Sequence, residues 1–198
     1  MHEFVLDEAV ANHTVLGNQL WQNGLEDDNE TGAQLRREVG ARIQSTKIRE
    51  FATLGVVLGY RYDDSPVIVS DGSAAPGHDF INYVPTSRPG AIAQHAWLHD
   101  GSSLYDHFGK GFTLLANKDA SQSLIDEAQQ QARAAGVPLK VVQPREAGLQ
   151  SLYTTRLTLI RPDQHVAWRG NVLPEQSMGL FERVTGRVQV AVLAEVTA

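Results

Sequence analysis

Three histidines, His95, His99 and His107, are the nearest approach to a metal cluster. His95 and His99 have the i, i+4 spacing of a helical zinc pair. Ala96, not Glu, follows His95, so the H-E-x-x-H arrangement of a zinc hydrolase is absent. Asp100-Gly101 directly after His99 marks strand and turn. Residues four apart on a strand share a face but lie about 13 Å apart, at ~3.3 Å per residue, too far for one ion. No metal is expected, and these histidines read as structural or surface groups. Cysteine is absent, which removes thiolate zinc sites, a Cys nucleophile and thiol–disulfide exchange. No G-x-S-x-G presents a serine on a strand-to-helix turn. Gly109-Lys110-Gly111 lacks the spacing of a nucleotide-binding P-loop and reads as a tight turn. No G-x-G-x-x-G follows a strand and opens a helix, so no dinucleotide cradle is encoded. Trp97, Tyr105 and Trp168 read as core or interface anchors, with stacking on a flavin or an aromatic substrate as the sharper alternative. On these grounds no residue is assigned a catalytic or cofactor-binding role.

The chain that carries these residues has 198 of them, 42% hydrophobic, with 17 basic and 23 acidic side chains and a net charge of −6. That is enough apolar content for a buried core and too little charge for a disordered chain. The acidic balance argues against a nucleic-acid binder and against docking on anionic lipid. Met1 to Glu8 lack a basic region followed by a long apolar one, so no secretory signal is expected. The longest apolar stretch, Thr53 to Tyr60, is far below the ~20 residues that span a bilayer. A soluble, cytoplasmic protein is expected.

Glu3 to Trp21 carries Leu6, Val10 and Leu20 near helical spacing. Thr31 with Gln34 has a capping-box pattern and opens a second helix, with Leu35, Val39 and Ile43 on one face, ending near Leu54-Gly55. The period then changes to two: Val56 to Tyr62 and Val67 to Val69 read as a β-hairpin about Asp63-Asp64-Ser65-Pro66. Tyr83 to Gly90 is extended and closes in a Pro-Gly turn. His95 to Leu98 reads as a strand, Asp100-Gly101 as a turn, and Leu104 to Phe108 as a strand or short bend.

Phe112 to Ala116 is a short buried strand. Asp119 with Gln122 suggests a cap for a helix with Leu124, Ile125, Ala128, Ala132 and Ala135 on one stripe, stopped by Gly136 and Pro138. Leu139 to Val142 is the next strand. Thr155 to Arg161 and His165 to Arg169 form a hairpin about Pro162-Asp163-Gln164. Pro174 suits the start of a last helix carrying Ser177, Leu180, Phe181 and Val184, and Val188 to Val196 forms an apolar tail. The order β-α-β, then β-β-α, with a parallel right-handed crossover, is the plan of a thioredoxin-like α/β fold. Asn117-Lys118-Asp119-Ala120 stands where a redox-active member would carry its thiols, so the fold here has no disulfide chemistry. The core should comprise Phe112, Leu114, Ile125, Ala128, Val141, Leu157, Leu159, Val166, Trp168, Leu180 and Phe181.

Several strings together carry a resemblance. They are Leu58-Gly59-Tyr60-Arg61-Tyr62 with Ser65-Pro66; Pro85-Thr86-Ser87-Arg88-Pro89-Gly90 with His95-Ala96-Trp97-Leu98; Asp100-Gly101-Ser102-Ser103-Leu104-Tyr105-Asp106 running into Gly111-Phe112-Thr113-Leu114-Leu115; and Arg161-Pro162-Asp163 with His165-Val166-Ala167-Trp168-Arg169-Gly170. In this order the set resembles the C-terminal part of FAD-dependent aromatic-ring hydroxylases, the single-component flavoprotein monooxygenases of the phenol hydroxylase and polyketide hydroxylase type, over roughly residues 35 to 187. Gln94 stands where many members carry Pro, and Ile92 where they often carry Arg. Tyr60, Arg61, Arg88, Pro89, Gly90, His95, Trp97, Asp100, Gly101, Arg161, Trp168 and Arg169 are the matching positions to which the resemblance attaches interest without a role.

The resemblance implies residues 1–98 as helices plus a β-hairpin, the end of the FAD and substrate region, and residues 99–198 as a cysteine-free thioredoxin-like domain that folds alone. It implies FAD and NAD(P)H for the complete enzyme and none for this chain by itself, since the family's glycine-rich FAD motif and its later Gly-Asp motif are both missing. The expected function is the C-terminal portion of a monooxygenase that hydroxylates an aromatic compound with NAD(P)H and O2, inactive alone. Its expected partner is the FAD-binding and substrate domain, in cis or in trans, with a homo-oligomer as a further possibility. The alternative is a stand-alone, redox-inert thioredoxin-like binding or oligomerisation module.

Overall fold

The computed structural model describes residues 2–10, 20–175 and 179–187. The chain divides into two compact units, one of residues 1–60 and 76–84, the other of residues 61–75 and 85–198.

The first unit is helical. α1 spans His2–Val10, α2 Glu30–Phe51 and α3 Leu54–Val57. α2 starts at Asn29, whose side chain accepts a hydrogen bond from the Gly32 amide at 2.8 Å. Asn29 is thus the cap in place of Thr31, and it satisfies one of the amides a helix start leaves open. Arg36 donates to the carbonyls of Leu25 and Asp27 at 2.8 and 3.0 Å and ties the acidic loop to the helix. Of the expected stripe, Val39 is buried while Ile43 is 42% exposed. The helix expected over Glu3 to Trp21 is formed as far as Val10; residues 11–19 lie outside the described residues.

The β-hairpin expected at 56–69 is not formed. Leu54–Val57 makes a helical turn closed by the bonds Val57 N to Thr53 O and Leu58 N to Leu54 O. Gly55 lies against the backbone of Asp79 and Asn82, so close that a Cβ on it would fall 1.7 Å from the Asp79 carbonyl oxygen. That close approach, available only to glycine, overrides the period-two pattern. Val69 donates to the carbonyl of Ala167 in the second unit's sheet instead of to a hairpin partner.

The second unit holds the sheet: β1 Phe112–Ala116, β2 Leu139–Val142, β3 Leu157–Ile160 and β4 Val166–Gly170, in the order β2-β1-β3-β4. β1 and β2 are parallel, with Leu114 opposite Val141; β1–β3 and β3–β4 are antiparallel, with Leu114 opposite Leu159 and Leu159 opposite Trp168. A parallel β-α-β half beside an antiparallel β-β-α half is the thioredoxin-like arrangement the sequence predicts.

α4, Gln122–Ala134, provides the crossover. Its cap is Ser121, whose side chain accepts from the Leu124 amide, rather than Asp119. It ends as the sequence predicts. Gly136, at φ +64°, donates to Arg133 O, and Val137 donates to Ala132 O, a paired closure that uses the last carbonyls. α5, Ala147–Leu152, is an additional helix that its weak pattern did not reveal. α6 is Leu180–Val184, shorter than expected: Pro174 precedes it, and Ser177 and the tail 188–196 lie outside the described residues.

Strand alternation sends the core to both faces of the sheet. On one, Phe112, Leu114, Leu157, Leu159 and Trp168 pack with Ile125, Ala128, Ala132, Leu180 and Phe181; Val141 is a partly buried neighbour. On the other, Leu115, Ile160 and Val166 pack with Ala93, Leu104, Leu149 and Tyr153. Val166 thus belongs to the second face. This second layer explains the division of the chain: residues 85–98 cover the sheet and belong to its unit, so compactness does not break at 98/99. The strand expected at His95–Leu98 is instead a single bridge, Trp97 to Ser103, and of the strand or short bend expected at Leu104–Phe108 the bend is formed, as a 3₁₀ turn over Leu104–His107. Ser103 and Asp106 cap that turn reciprocally, which local bonding favours over a ladder.

Candidate functional site

The family-motif positions fall into distinct groups. The largest surrounds the start of β4. Gly90, at φ +92°, donates to Val166 O at 2.8 Å and accepts from Tyr62 N at 3.0 Å; a Cβ there would press on the Tyr62 backbone at 3.2 Å. The buried Pro89 precedes it. Ala93 N to Gln164 O and Val166 N to Ala91 O then run the chain along the hairpin end.

Around this backbone the arginines are bonded to acids and loop oxygens. Arg61 donates to Asp63 at 3.2 Å. Arg88 pairs with the same carboxylate and donates to the Ser73 carbonyl at 2.9 Å. Arg169 donates to Asp71 at 2.7 Å, to Ser87 Oγ at 2.9 Å and to Ser73 Oγ at 3.3 Å. Partial burial works against the charge of Asp63, but the hydrogen bonds from Arg88 and Arg61 outweigh it and hold the carboxyl below its usual range. Burial likewise opposes ionisation of Asp71, and the Ser73 hydroxyl and amide together with Arg169 overcome it, lowering the carboxyl to about 2.

A second group sits at the β3–β4 turn. Arg161 grips Asp163 with Nε at 3.1 Å and Nη2 at 2.9 Å, and its guanidinium carbon lies 5.8 Å from the centre of the Tyr62 ring. His165 is buried, bonds through Nδ1 to the Asp163 carbonyl at 3.0 Å and meets the Tyr62 ring edge-on at 4.6 Å. Burial depresses its pKa, so it is held neutral near pH 7. Burial also opposes the charge of Asp163, but Arg161 and the His165 amide still lower its carboxyl.

The third group is aromatic. His95 contacts Trp97 and Tyr105 edge-on at 4.9 and 5.3 Å and hydrogen-bonds Ser103 Oγ at 3.0 Å. Trp97 is 72% exposed, so it is not a core anchor. Asp100 accepts from the Ser102 amide and hydroxyl, and Gly101, at φ +82°, completes that turn. Trp168 is buried in the sheet core, packed so closely over Gly170 that a Cβ there would fall 2.5 Å from its ring. Tyr60 belongs to the other unit.

The sequence reading missed the acids that organise these groups. Arg61-Tyr62-Asp63 and Arg161-Pro162-Asp163 share an R-x-D spacing that both close by direct bonds, and that repetition was the available signal. It also missed that Gln94 and Tyr153 are interlocked: Gln94 Nε2 donates to Leu152 O at 2.9 Å, and Tyr153 Oη donates to Gln94 O at 2.6 Å.

Chemically, these groups position backbone. The guanidiniums of Arg88, Arg161 and Arg169 bond to carboxylates and loop oxygens, which leaves them to brace loops. No group of three or more His, Asp or Glu able to hold a metal occurs among the described residues. The turn from β1 into α4, Asn117 to Ser121, has no glycine, and three of its amides are already bonded: Asn117 N to Arg156 O, Lys118 N to Asn117 Oδ1 and Ala120 N to Asn117 O. A pyrophosphate needs such amides open at a glycine-lined helix start. The turn does not fit FAD.

The family described as "Aromatic-ring hydroxylase, C-terminal" matches residues 86–188. The chain is 33% identical over 144 residues to the FAD-dependent monooxygenase opdD of Penicillium oxalicum, covering 71% of this chain and 27% of that protein. It is 30% identical over 195 residues to 2,4-dichlorophenol 6-monooxygenase of Cupriavidus pinatubonensis, covering 81% and 32%. Among solved structures, that of RebC superposes with a TM-score of 0.81 at 31% identity over 93% of this chain and 35% of that one. Aklavinone-11 hydroxylase, solved with FAD and aklavinone, gives 0.55 at 27% identity over 68% and 28%. The chain therefore spans about a quarter to a third of the length of these relatives. The sheet order, the braced loop at the start of β4 and these matches lead to one assignment: the chain belongs to the aromatic-ring hydroxylase C-terminal family.

Proposed function

We propose that this chain is the C-terminal portion of an FAD-dependent monooxygenase that hydroxylates an aromatic compound with NAD(P)H and O2, and that it is catalytically incomplete alone. The observation that carries this reading is the family match over 86–188 combined with a β–α turn that lacks glycine and has three of its amides already bonded. In such an enzyme the flavin supplies the oxygen-transfer chemistry, and protein binds, orients and excludes water. This chain's part is structural: a closed sheet unit with loops 61–75 and 85–95 braced by Arg61, Arg88, Arg161 and Arg169. Its partner is the FAD-binding and substrate domain, in cis or in trans. A cytoplasmic site suits a reaction fed by NAD(P)H, and no helix among the described residues is long and apolar enough to cross a membrane.

The test is an assay of the purified chain with added FAD, NAD(P)H and a panel of phenols. The expected result is no NAD(P)H oxidation above the flavin-only background and no hydroxylated product. Product formation by the chain alone overturns the reading.

A further inference from the structure

Asn23-Gly24, Asp71-Gly72 and Asp100-Gly101 each set a glycine at positive φ directly after an asparagine or aspartate, at +90°, +75° and +82°. Such pairs suit tight turns. They also hold the two groups of a spontaneous cyclisation: a side-chain carbonyl carbon and the backbone nitrogen of the next residue. Glycine has no Cβ to obstruct the ring. Asn23, Asp71 and Asp100 are all exposed, so exposure does not tell them apart. Hydrogen bonding does. The Asp71 carboxylate accepts from Arg169 and from the Ser73 amide and hydroxyl, and the Gly72 amide donates to Ser70 Oγ at 3.2 Å. The Asp100 carboxylate accepts from the Ser102 amide at 2.9 Å and hydroxyl at 2.6 Å, and the Gly101 amide donates to Leu98 O at 2.9 Å. Burial opposes the charge of Asp71, yet its bonds lower the carboxyl to about 2, and the Ser102 bonds lower that of Asp100. Both stay ionised, and a carboxylate is a poor target for a nucleophile. At Asn23-Gly24 neither group is engaged: among the described residues the Asn23 side chain has no hydrogen-bond partner and the Gly24 amide donates to nothing. The side chains of Asn29, Asn82, Asn117 and Asn171 are all bonded. Leu25 N reaches Gln22 O across the Asn23-Gly24 turn at 3.4 Å, longer than an ordinary amide–carbonyl bond.

We infer that Asn23 is a site of spontaneous modification, converting to aspartate and isoaspartate in the folded chain, while the bonded turns protect Asp71 and Asp100 from the same cyclisation. The Gly24 nitrogen gives up its proton and attacks Cγ of Asn23. The new C–N bond closes a cyclic imide, the bond from Cγ to the side-chain nitrogen breaks, and ammonia leaves with the proton. Water then opens the imide. Attack at the side-chain carbonyl gives aspartate; attack at the backbone carbonyl gives isoaspartate, in which the main chain runs through the side chain and is one atom longer. Water is the only co-reactant. Either product adds a negative charge to a loop that already carries Glu26, Asp27 and Asp28. Isoaspartate also lengthens the turn that leads to Leu25, whose carbonyl Arg36 holds at 2.8 Å, so the change reaches the tie between this loop and α2.

The experiment incubates the purified 198-residue chain at mildly alkaline pH, folded in buffer and unfolded in urea, and follows each site over time. Peptide mapping reads the gain of about one mass unit at Asn23, and electron-transfer fragmentation distinguishes isoaspartate from aspartate at all three sites. Each site is compared with itself in urea, which removes the intrinsic difference between asparagine and aspartate. In the folded chain Asn23 should react within about threefold of its rate in urea, while Asp71 and Asp100 slow about tenfold or more. Ion exchange should show a more acidic species growing at the rate of the Asn23 conversion. Asn23→Gln, whose longer side chain disfavours the ring, should abolish that species and leave the fold intact, since the native side chain is unbonded. Arg169→Ala should speed isoaspartate formation at Asp71 and leave Asn23 and Asp100 unchanged. Folded Asn23 slowed as strongly as the two aspartates overturns the proposal, and so does an acidic species that persists in Asn23→Gln. Asp71 and Asp100 reacting as fast folded as in urea overturns the protection assigned to their bonds.

Discussion

Arg169 shows how single residues hold the braced loop. Its three bonds, to Asp71, Ser73 and Ser87, join residues nearly a hundred positions apart in the chain. Arg169→Ala should destabilise the sheet unit by about 1–3 kcal/mol, the cost of leaving charge-assisted partners unmet, as measured by chemical denaturation. Arg169→Lys should recover only part, because an ammonium cannot reproduce the fork. The same residues set the pH response. Asp63, Asp71 and Asp163 have folded pKa values below their usual ones, so their contribution is complete above about pH 4 and erodes as pH falls toward about 2, the folded value of Asp71. His165 has its folded pKa lowered below 6.5. The unfolded chain then takes up that proton first, and stability starts to fall as pH drops through 6.5. Melting temperature against pH should decline in two separate windows. Asp71→Asn should flatten the acidic one only; a profile unchanged by that substitution would refute the role given to the Arg169–Asp71 pair. None of these acids stood out in the sequence: Asp63 and Asp163, each two residues from an arginine, look like any solvated pair, and Asp71 has no arginine near it until the fold brings Arg169 to it.

At the scale of elements, the strands, α2 and α4 were legible, and the stretches 54–69 and 95–98 were not. β1, β2, β3, β4 and the α4 stripe have one consistent periodicity each, with Gly136 and Gly186 at positive φ where helices stop. Gly136→Ala should cost about 1–2 kcal/mol, since a Cβ is strained at φ +64°. Leu159→Ala, at a fully buried position facing both α4 and α6, should cost about 2–5 kcal/mol. Urea denaturation measures both, and a Leu159 cost below that of Gly136 would contradict the core described here. Residues 54–69 misled because alternation of apolar and polar residues says nothing of where backbone must pass backbone. The close approach at Gly55 decides a helical turn. At 104–107 the sequence left strand and bend open, because what decides the 3₁₀ turn is the Ser103–Asp106 cap and the bond that the Tyr105 hydroxyl donates to the Ala93 carbonyl, neither of which is periodic. At the candidate site, the motif positions of the 85–101 stretch were legible as a group, while their separation into a braced loop and an exposed aromatic cluster needed the fold.

At the scale of the whole molecule, residues 85–98 belong with the sheet, because Ala93 packs in its second hydrophobic layer and Gln94 interlocks with Tyr153. A chain trimmed to begin at residue 99 should melt at lower temperature and less cooperatively than one beginning at residue 61, by circular dichroism. Equal melting curves would restore a boundary at 98/99. The central claim is that this chain supplies a braced thioredoxin-like part of a flavoprotein hydroxylase and leaves flavin binding to the part that its longer relatives carry. The most direct measurement is a titration of the purified 198-residue chain with FAD, followed by gel filtration and an absorbance spectrum of the protein peak. The account predicts a colourless peak with flavin only in the small-molecule fraction. A yellow peak holding one flavin per chain would contradict it.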